Sequence, residues 1–233
     1  MPHQINLQAI DTDGAVREAA EAVSGDTRLG FLRKGAVGGG ALFGGGALMA
    51  AVPELAAAAG QGRPPAKFGK GDIGILNYAL TLEYLERAFY DEATNNLGSR
   101  LAGTQLGAFL RVVTKDERAH VSFLKGALGS KGVKKPEFDF KGTTADKDMF
   151  AATAQVLENT GVGAYLGQAA NLKSKKFLGA AGSILTIEAR HSGAIGLIND
   201  PSGKAIATNG PFDKPKTAGQ VLAAVKATGF IVG

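Results

Sequence analysis

Cysteine is missing from all 233 residues. That absence excludes disulfides, iron–sulfur clusters, thiolate zinc sites and a lipid-bearing N-terminal cysteine. Any metal held by this chain is held by oxygen and nitrogen, and the redox compartment stays open. Histidine is scarce as well, with only three residues. No charge of one sign dominates: 26 Lys and Arg face 21 Asp and Glu, a net of +5. The small basic clusters, Lys134-Lys135 and Lys173-Ser174-Lys175-Lys176, do not interleave with aromatics. They read as solvated loop and helix-end charge and give no nucleic-acid footprint. With 45% hydrophobic and 20% charged residues the chain has the composition of a globular protein with a full core, one or two domains in size.

What is present begins with an unusual N-terminus. Residues 1–60 run from a polar, acidic start through Thr27-Arg28-Leu29-Gly30-Phe31-Leu32-Arg33-Lys34 into an uncharged Gly/Ala-rich stretch, Gly35 to Val52. This reads as a targeting segment outside the fold. It resembles a twin-arginine signal peptide, with Leu29 standing where that motif has its second arginine. We expect export to the periplasm, cell envelope or extracellular space, with cleavage within Ala56-Ala57-Ala58-Ala59. The competing reading is an uncleaved anchor, because 18 uncharged residues just reach across a bilayer. Seven glycines among them weigh against it, each costing about 1 kcal/mol in a helix relative to alanine. Membrane contact is therefore expected only if that segment stays attached.

Beyond Gly71 no strand pattern competes with four amphipathic stretches at helical period, roughly Asp72–Thr94, Thr104–Leu128, Ala145–Asn171 and Lys175–Asn199. Asp72 is expected to cap the first and Thr104 the second, with Gly129 ending the second. Thr143-Thr144-Ala145-Asp146 announces the third, and Asp200-Pro201-Ser202-Gly203 stops the fourth. About nine residues join the first pair and about three the last, so each pair should be an antiparallel hairpin. The roughly 16 residues from Gly129 to Thr144 extend about 50 Å, enough to cross a bundle of helices about 37 Å long. The expected fold is all-α, a four-helix bundle over residues 70–200 with one long crossover between helices 2 and 3. A C-terminal extension, 201–233, holds a short helix near Ala218 to Ala227.

Two of the three histidines close Glu-x-x-His tetrads, Glu117-Arg118-Ala119-His120 and Glu188-Ala189-Arg190-His191. Residues i and i+3 share a helix face, so each tetrad aims a carboxylate and an imidazole at one point. Lone glutamates, Glu83 and Glu158, sit in the other two stretches. The four glutamates lie eleven to thirteen residues or so into helices of about 25, at one level in the bundle. Two Glu-x-x-His faces plus two lone glutamates is the recurring ligand set of di-iron and di-manganese helical bundles. The competing reading of a single tetrad is a surface salt bridge or capping pair. Two tetrads in apolar stripes, level with two lone glutamates, favour metal.

These residues resemble the ferritin-like superfamily, and more closely its exported branch of desiccation-related proteins. The resemblance lies in Ile75-Leu76-Asn77-Tyr78-Ala79-Leu80-Thr81-Leu82-Glu83-Tyr84-Leu85-Glu86, Gly161-Val162-Gly163-Ala164-Tyr165-Leu166 and Ile187-Glu188-Ala189-Arg190-His191. It spans roughly 70–200 and reaches weakly to Phe212-Asp213-Lys214-Pro215. It implies Glu83, Glu117, His120, Glu158, Glu188 and His191 as metal ligands, with Glu117 and Glu188 bridging and Glu86 the alternative to Glu83. It implies two iron ions first, manganese or a mixed Fe/Mn pair second, and dioxygen or peroxide as partner. Tyr84, Tyr90 and Tyr165 are either redox or hydrogen-bonding neighbours or plain core aromatics. Arg118 is expected to face solvent. Two functions follow: oxidase, ferroxidase or peroxide-consuming chemistry in stress protection, or a non-catalytic metal-stabilised structural or desiccation-stress protein of the cell envelope. An envelope interaction module with a vestigial site is a third, and a storage cage is disfavoured by the extra segment after Asn199.

Overall fold

The computed structural model describes residues 62–232, and the segment 1–60 expected to direct export lies outside them. Five α-helices follow in order: α1 Gly71–Leu97, α2 Gln105–Leu128, α3 Lys147–Ala169, α4 Lys175–Asn199 and α5 Ala218–Thr228. Among the described residues there is no strand beyond a single bridge, Phe138 to Ile231. No described helix is long and apolar enough to cross a membrane.

Local chemistry sets the helix ends. Thr104 accepts the Gly107 amide to open α2, and Asp146 accepts Asp148 and Met149 to open α3. That capping starts α3 two residues later than the periodicity placed it. Ser174 caps α4, and Thr217 with Gln220 forms a complete capping box on α5. Gly129, with φ of 54°, closes α2. Asp72 does not cap α1. The cap position is Lys70, which contributes no side-chain bond. The Asp72 carboxylate instead accepts the Lys173 and Ser174 amides at 2.9 and 2.8 Å. It spends its charge on tying the α3–α4 turn to the start of α1, which sequence alone placed far away.

These long-range bonds trace the topology. The crossover leaves α2 beside the start of α1, where the Asn77 side chain donates to the Phe68 and Lys131 carbonyls and accepts the Val133 amide. It arrives at α3 beside the end of α1, where Asn96 reaches Thr144 and Arg100 reaches the Ala145 carbonyl. The connection therefore runs the length of α1, and α3 returns antiparallel to it. On the way Phe140 packs edge-on against Phe89, which stacks on Phe150 of α3 at 5.4 Å. Residues Gly74 to Glu86 of α1 are all buried, more than the single stripe that its periodicity suggested. Helix α1 lies under α2, α3, the crossover and the 66–68 turn together, so no face of that stretch meets water.

The C-terminal extension is seated rather than appended. The Lys216 amide donates to the Gly163 carbonyl at 2.9 Å, and Ala218 donates to Gly62 at 2.8 Å. Helix α5 buries Ala218, Val221 and Val225. This close approach needs a bare α3: a Cβ at Gly167 would stand 1.9 Å from the Lys216 carbonyl oxygen. Alanine ordinarily improves a helix by about 1 kcal/mol over glycine. Here we expect Gly167→Ala to destabilise the protein by about 1–3 kcal/mol through that overlap. Chemical denaturation checks it, and an unchanged or raised midpoint would show that the strap is not held where it is described.

Candidate metal centre

Each of the four long helices delivers its glutamate inward because the apolar residues flanking it are buried. Leu82, Leu85, Val113, Val121, Leu157 and Ile184 are all at most 6% exposed. Glu83, Glu117, Glu158 and Glu188 are each 0% exposed, and His120 and His191 are 8% and 5%. All six residues named from sequence come together. They form two overlapping groups, Glu83, Glu117, His120 and Glu188, and Glu117, Glu158, Glu188 and His191. Within each group the four donor atoms lie within 4.8 Å of one another.

The contacts within the cluster are those of a site built for something besides protons. Three carboxylates converge on His120 Nδ1: Glu188 at 3.2 Å, Glu83 and Glu117 both at 3.3 Å. One nitrogen offers one proton, so at most one of the three is served. His191 Nδ1 stands 3.4 Å from Glu117 and 3.3 Å from Glu158. Buried atoms without a hydrogen bond include Glu83 Oε2, Glu117 Oε1, Glu158 Oε2, both Glu188 oxygens and His191 Nδ1. Buried polar atoms rarely stay unsatisfied, and a cluster of them on hard-oxygen and imidazole donors fits divalent metal ions.

Electrostatics say the same. Burial alone would lower both imidazoles, but the surrounding carboxylates outweigh it, raising His120 far above its ordinary value and His191 to about 11. Burial and the neighbouring Glu83 push Glu117 up to about 8, and burial with Glu117 and Glu158 pushes Glu188 up strongly. Glu83 goes down: burial opposes its ionisation, and the hydrogen bond and charge of His120 overcome it. Four buried carboxylates in one place are tolerable only with protons or cations among them.

Around the six stands a second set of residues. The Tyr165 hydroxyl donates to Glu83 Oε1, and the Tyr90 hydroxyl donates to Glu158 Oε1. Each tyrosine lies seven residues after the glutamate of its own helix and binds the glutamate of the other. The centre thus has an approximate two-fold relation that exchanges α1 with α3 and α2 with α4. Sequence had offered these tyrosines as neighbours or as core; they are hydrogen-bonding neighbours. Tyr84 is not, and packs in a separate apolar cluster with Leu76, Leu80 and Val121. Burial above all, then the adjacent carboxylates, keeps both bonded phenols protonated.

One partner escaped sequence reasoning. Asp116 Oδ2 lies 3.2 Å from His191 Nε2, and so fixes that ring with Nδ1 toward the carboxylates. Its signal was only its place beside Glu117, one residue before the tetrad. Ile187 holds the matching place before Glu188, so His120 lacks this support from α4. Arg118 faces solvent as expected and pairs with Asp91 at 2.7 Å, while Arg190 donates to the Thr186 carbonyl on its exposed face.

An all-helical bundle with one long crossover and a buried core of four glutamates and two histidines defines a class of proteins. A family model described as ferritin-like domain matches residues 71–199, which is more than half of the chain. The chain belongs to the ferritin-like family. No curated protein matches it in a sequence comparison.

Proposed function

We propose that this protein is an exported ferritin-like protein that holds two metal ions, iron first and manganese second, and serves in iron, oxygen or peroxide chemistry as stress protection. The observation that supports it most is the pair of overlapping donor groups, each buried and each left with unsatisfied atoms. Glu83 and His120 would hold one ion and Glu158 and His191 the other, with Glu117 and Glu188 shared. Such a pair, when bound, supplies electrons to dioxygen or peroxide. The chain's own part is to orient and insulate. Tyr165 and Tyr90 hold the Glu83 and Glu158 carboxylates by one oxygen each, leaving the other oxygen of each turned toward a histidine nitrogen. Asp116 sets the His191 ring, and the leucines and valines around the cluster exclude bulk water.

The test is metal content of the protein purified from the exported fraction, followed by oxygen uptake on adding Fe(II) under air. We expect about two ions per chain, and uptake that exceeds iron autoxidation. His120→Ala and His191→Ala should each lower metal content. Trace metal in the wild type, or binding unchanged in both variants, would sink the reading. Two ions with no uptake would favour the non-catalytic, metal-stabilised alternative.

A further inference from the structure

A fifth carboxylate stands at the centre. Glu86 lies one turn beyond Glu83 on α1 and is 4% exposed. No described residue gives it a hydrogen bond or an ion pair. A Cβ built on Gly161 of α3 would meet Glu188 Oε2 at 2.9 Å and Glu86 Oε1 at 3.2 Å. Two carboxylates therefore face the same bare patch of α3 backbone, and Glu86, outside both four-residue donor groups, borders them beside Glu188.

The two-fold relation shows why that patch is bare. Glu83 exchanges with Glu158, Tyr90 with Tyr165 and one tetrad with the other. By the same rule Glu86, three residues after Glu83, exchanges with Gly161, three residues after Glu158. One helix supplies a carboxylate at this place and the other supplies the room for it. An unpaired buried carboxylate is among the more unfavourable groups a core can hold, and no described Lys, Arg or His forms an ion pair with Glu86.

We propose that Glu86 is a seventh ligand of the centre, binding beside Glu188, so that the two ions sit in unequal coordination shells. This rests on the two-metal reading above and extends it. Four glutamates balance two divalent ions in charge, and Glu86 makes the set five against four. The ion on the Glu86 side is therefore the more tightly held and the higher in coordination number. The alternation of Glu and Gly at matched places makes the inequality a property of the sequence.

Cobalt(II) is the probe, because its visible band weakens as coordination number rises and it binds without being oxidised by air at once. The full chain is titrated with Co(II) alone as wild type and as Glu86→Gln, which keeps shape and removes charge. We expect two ions in both proteins, with one of them bound at least about 10-fold more weakly in the variant. The Glu86→Gln band should also be more intense. Thermal unfolding adds a readout that a merely buried bystander would not move: the rise in midpoint on adding Co(II) should shrink in the variant. Equal affinities, superimposable spectra and an equal rise would overturn the proposal while leaving the two-metal reading intact. A wild type that binds no Co(II) overturns both. Should Glu86→Gln fail to fold, Glu86→Ala is read in the same way.

Discussion

Replacing Glu117 or Glu188 by alanine is expected to remove both metal ions, whereas replacing Glu83 or Glu158 should leave one. The reason is membership. Glu117 and Glu188 occur in both four-residue donor groups, while Glu83 belongs to one and Glu158 to the other. Loss of Glu117 takes a donor from each ion, and it also leaves Glu83 and Glu188 facing each other with less positive charge between them. Removing even an outer-shell partner typically weakens a metal site 10- to 100-fold, and a shared ligand should exceed about 100-fold at both ions. Misfolding does not explain such a loss. Glu117 and Glu188 are raised by burial and by other carboxylates, so without metal each destabilises the fold when ionised. The metal-free Glu117→Ala and Glu188→Ala proteins should therefore unfold no earlier than wild type near neutral pH, apart from the cavity left behind. Metal per chain after exhaustive dialysis, read beside unfolding midpoints, decides the matter. A Glu117→Ala protein that keeps one tightly bound ion contradicts the shared-ligand geometry.

Much of this centre was legible because helices translate spacing into direction. Glu117 and His120, or Glu188 and His191, could face one point only if both lay on helices. Apolar neighbours at three and four residues fixed which face was inside. Equal depth then brought four helices' residues to one level, and the long middle connection fixed the order of the helices. What spacing does not encode is contact between helices. Asp116 was invisible because nothing in α2 alone tells that its carboxylate reaches His191 of α4. The cap assigned to Asp72 went astray for the same reason: a carboxylate at a helix start is a good local cap, and a better-placed pair of amides arrived from residues 173 and 174. The repeated seven-residue step from Glu83 to Tyr90 and from Glu158 to Tyr165 was in plain view, but its meaning lies in the exchange between α1 and α3. Glu86 shows the limit most clearly. From sequence it was a rival of Glu83 for one place; in the bundle both are buried, and Gly161 makes room for the second.

Stability should fall with rising pH in the metal-free protein and rise with metal. Glu117 is raised from 4.5 to about 8, Glu188 and Glu86 are raised in the same sense, and His191 is raised from 6.5 to about 11. A group that holds its proton more tightly when folded makes the folded state bind more protons than the unfolded one between the two values. Stability then drops as pH climbs through that window. For Glu117 the drop begins near 4.5 and continues through about 8; for His191 it begins near 6.5 and continues through about 11. Both act together between about pH 6.5 and 8. Glu83, lowered in the folded state, has the opposite sign, but its contribution is complete once pH passes its unfolded value near 4.5. Each unit is worth about 1.4 kcal/mol for one group, so a total fall of several kcal/mol, or on the order of 10 °C in Tm, is expected across the window. Metal reverses the trend, because it displaces the same protons and binds more tightly as they leave. Unfolding midpoints measured at unit steps from pH 5 to 9, with chelator and with Mn(II), should diverge steadily. A chelated protein whose Tm is flat or rising, or a Mn(II) increment that does not grow with pH, would mean that the buried carboxylates do not govern the stability of the bundle.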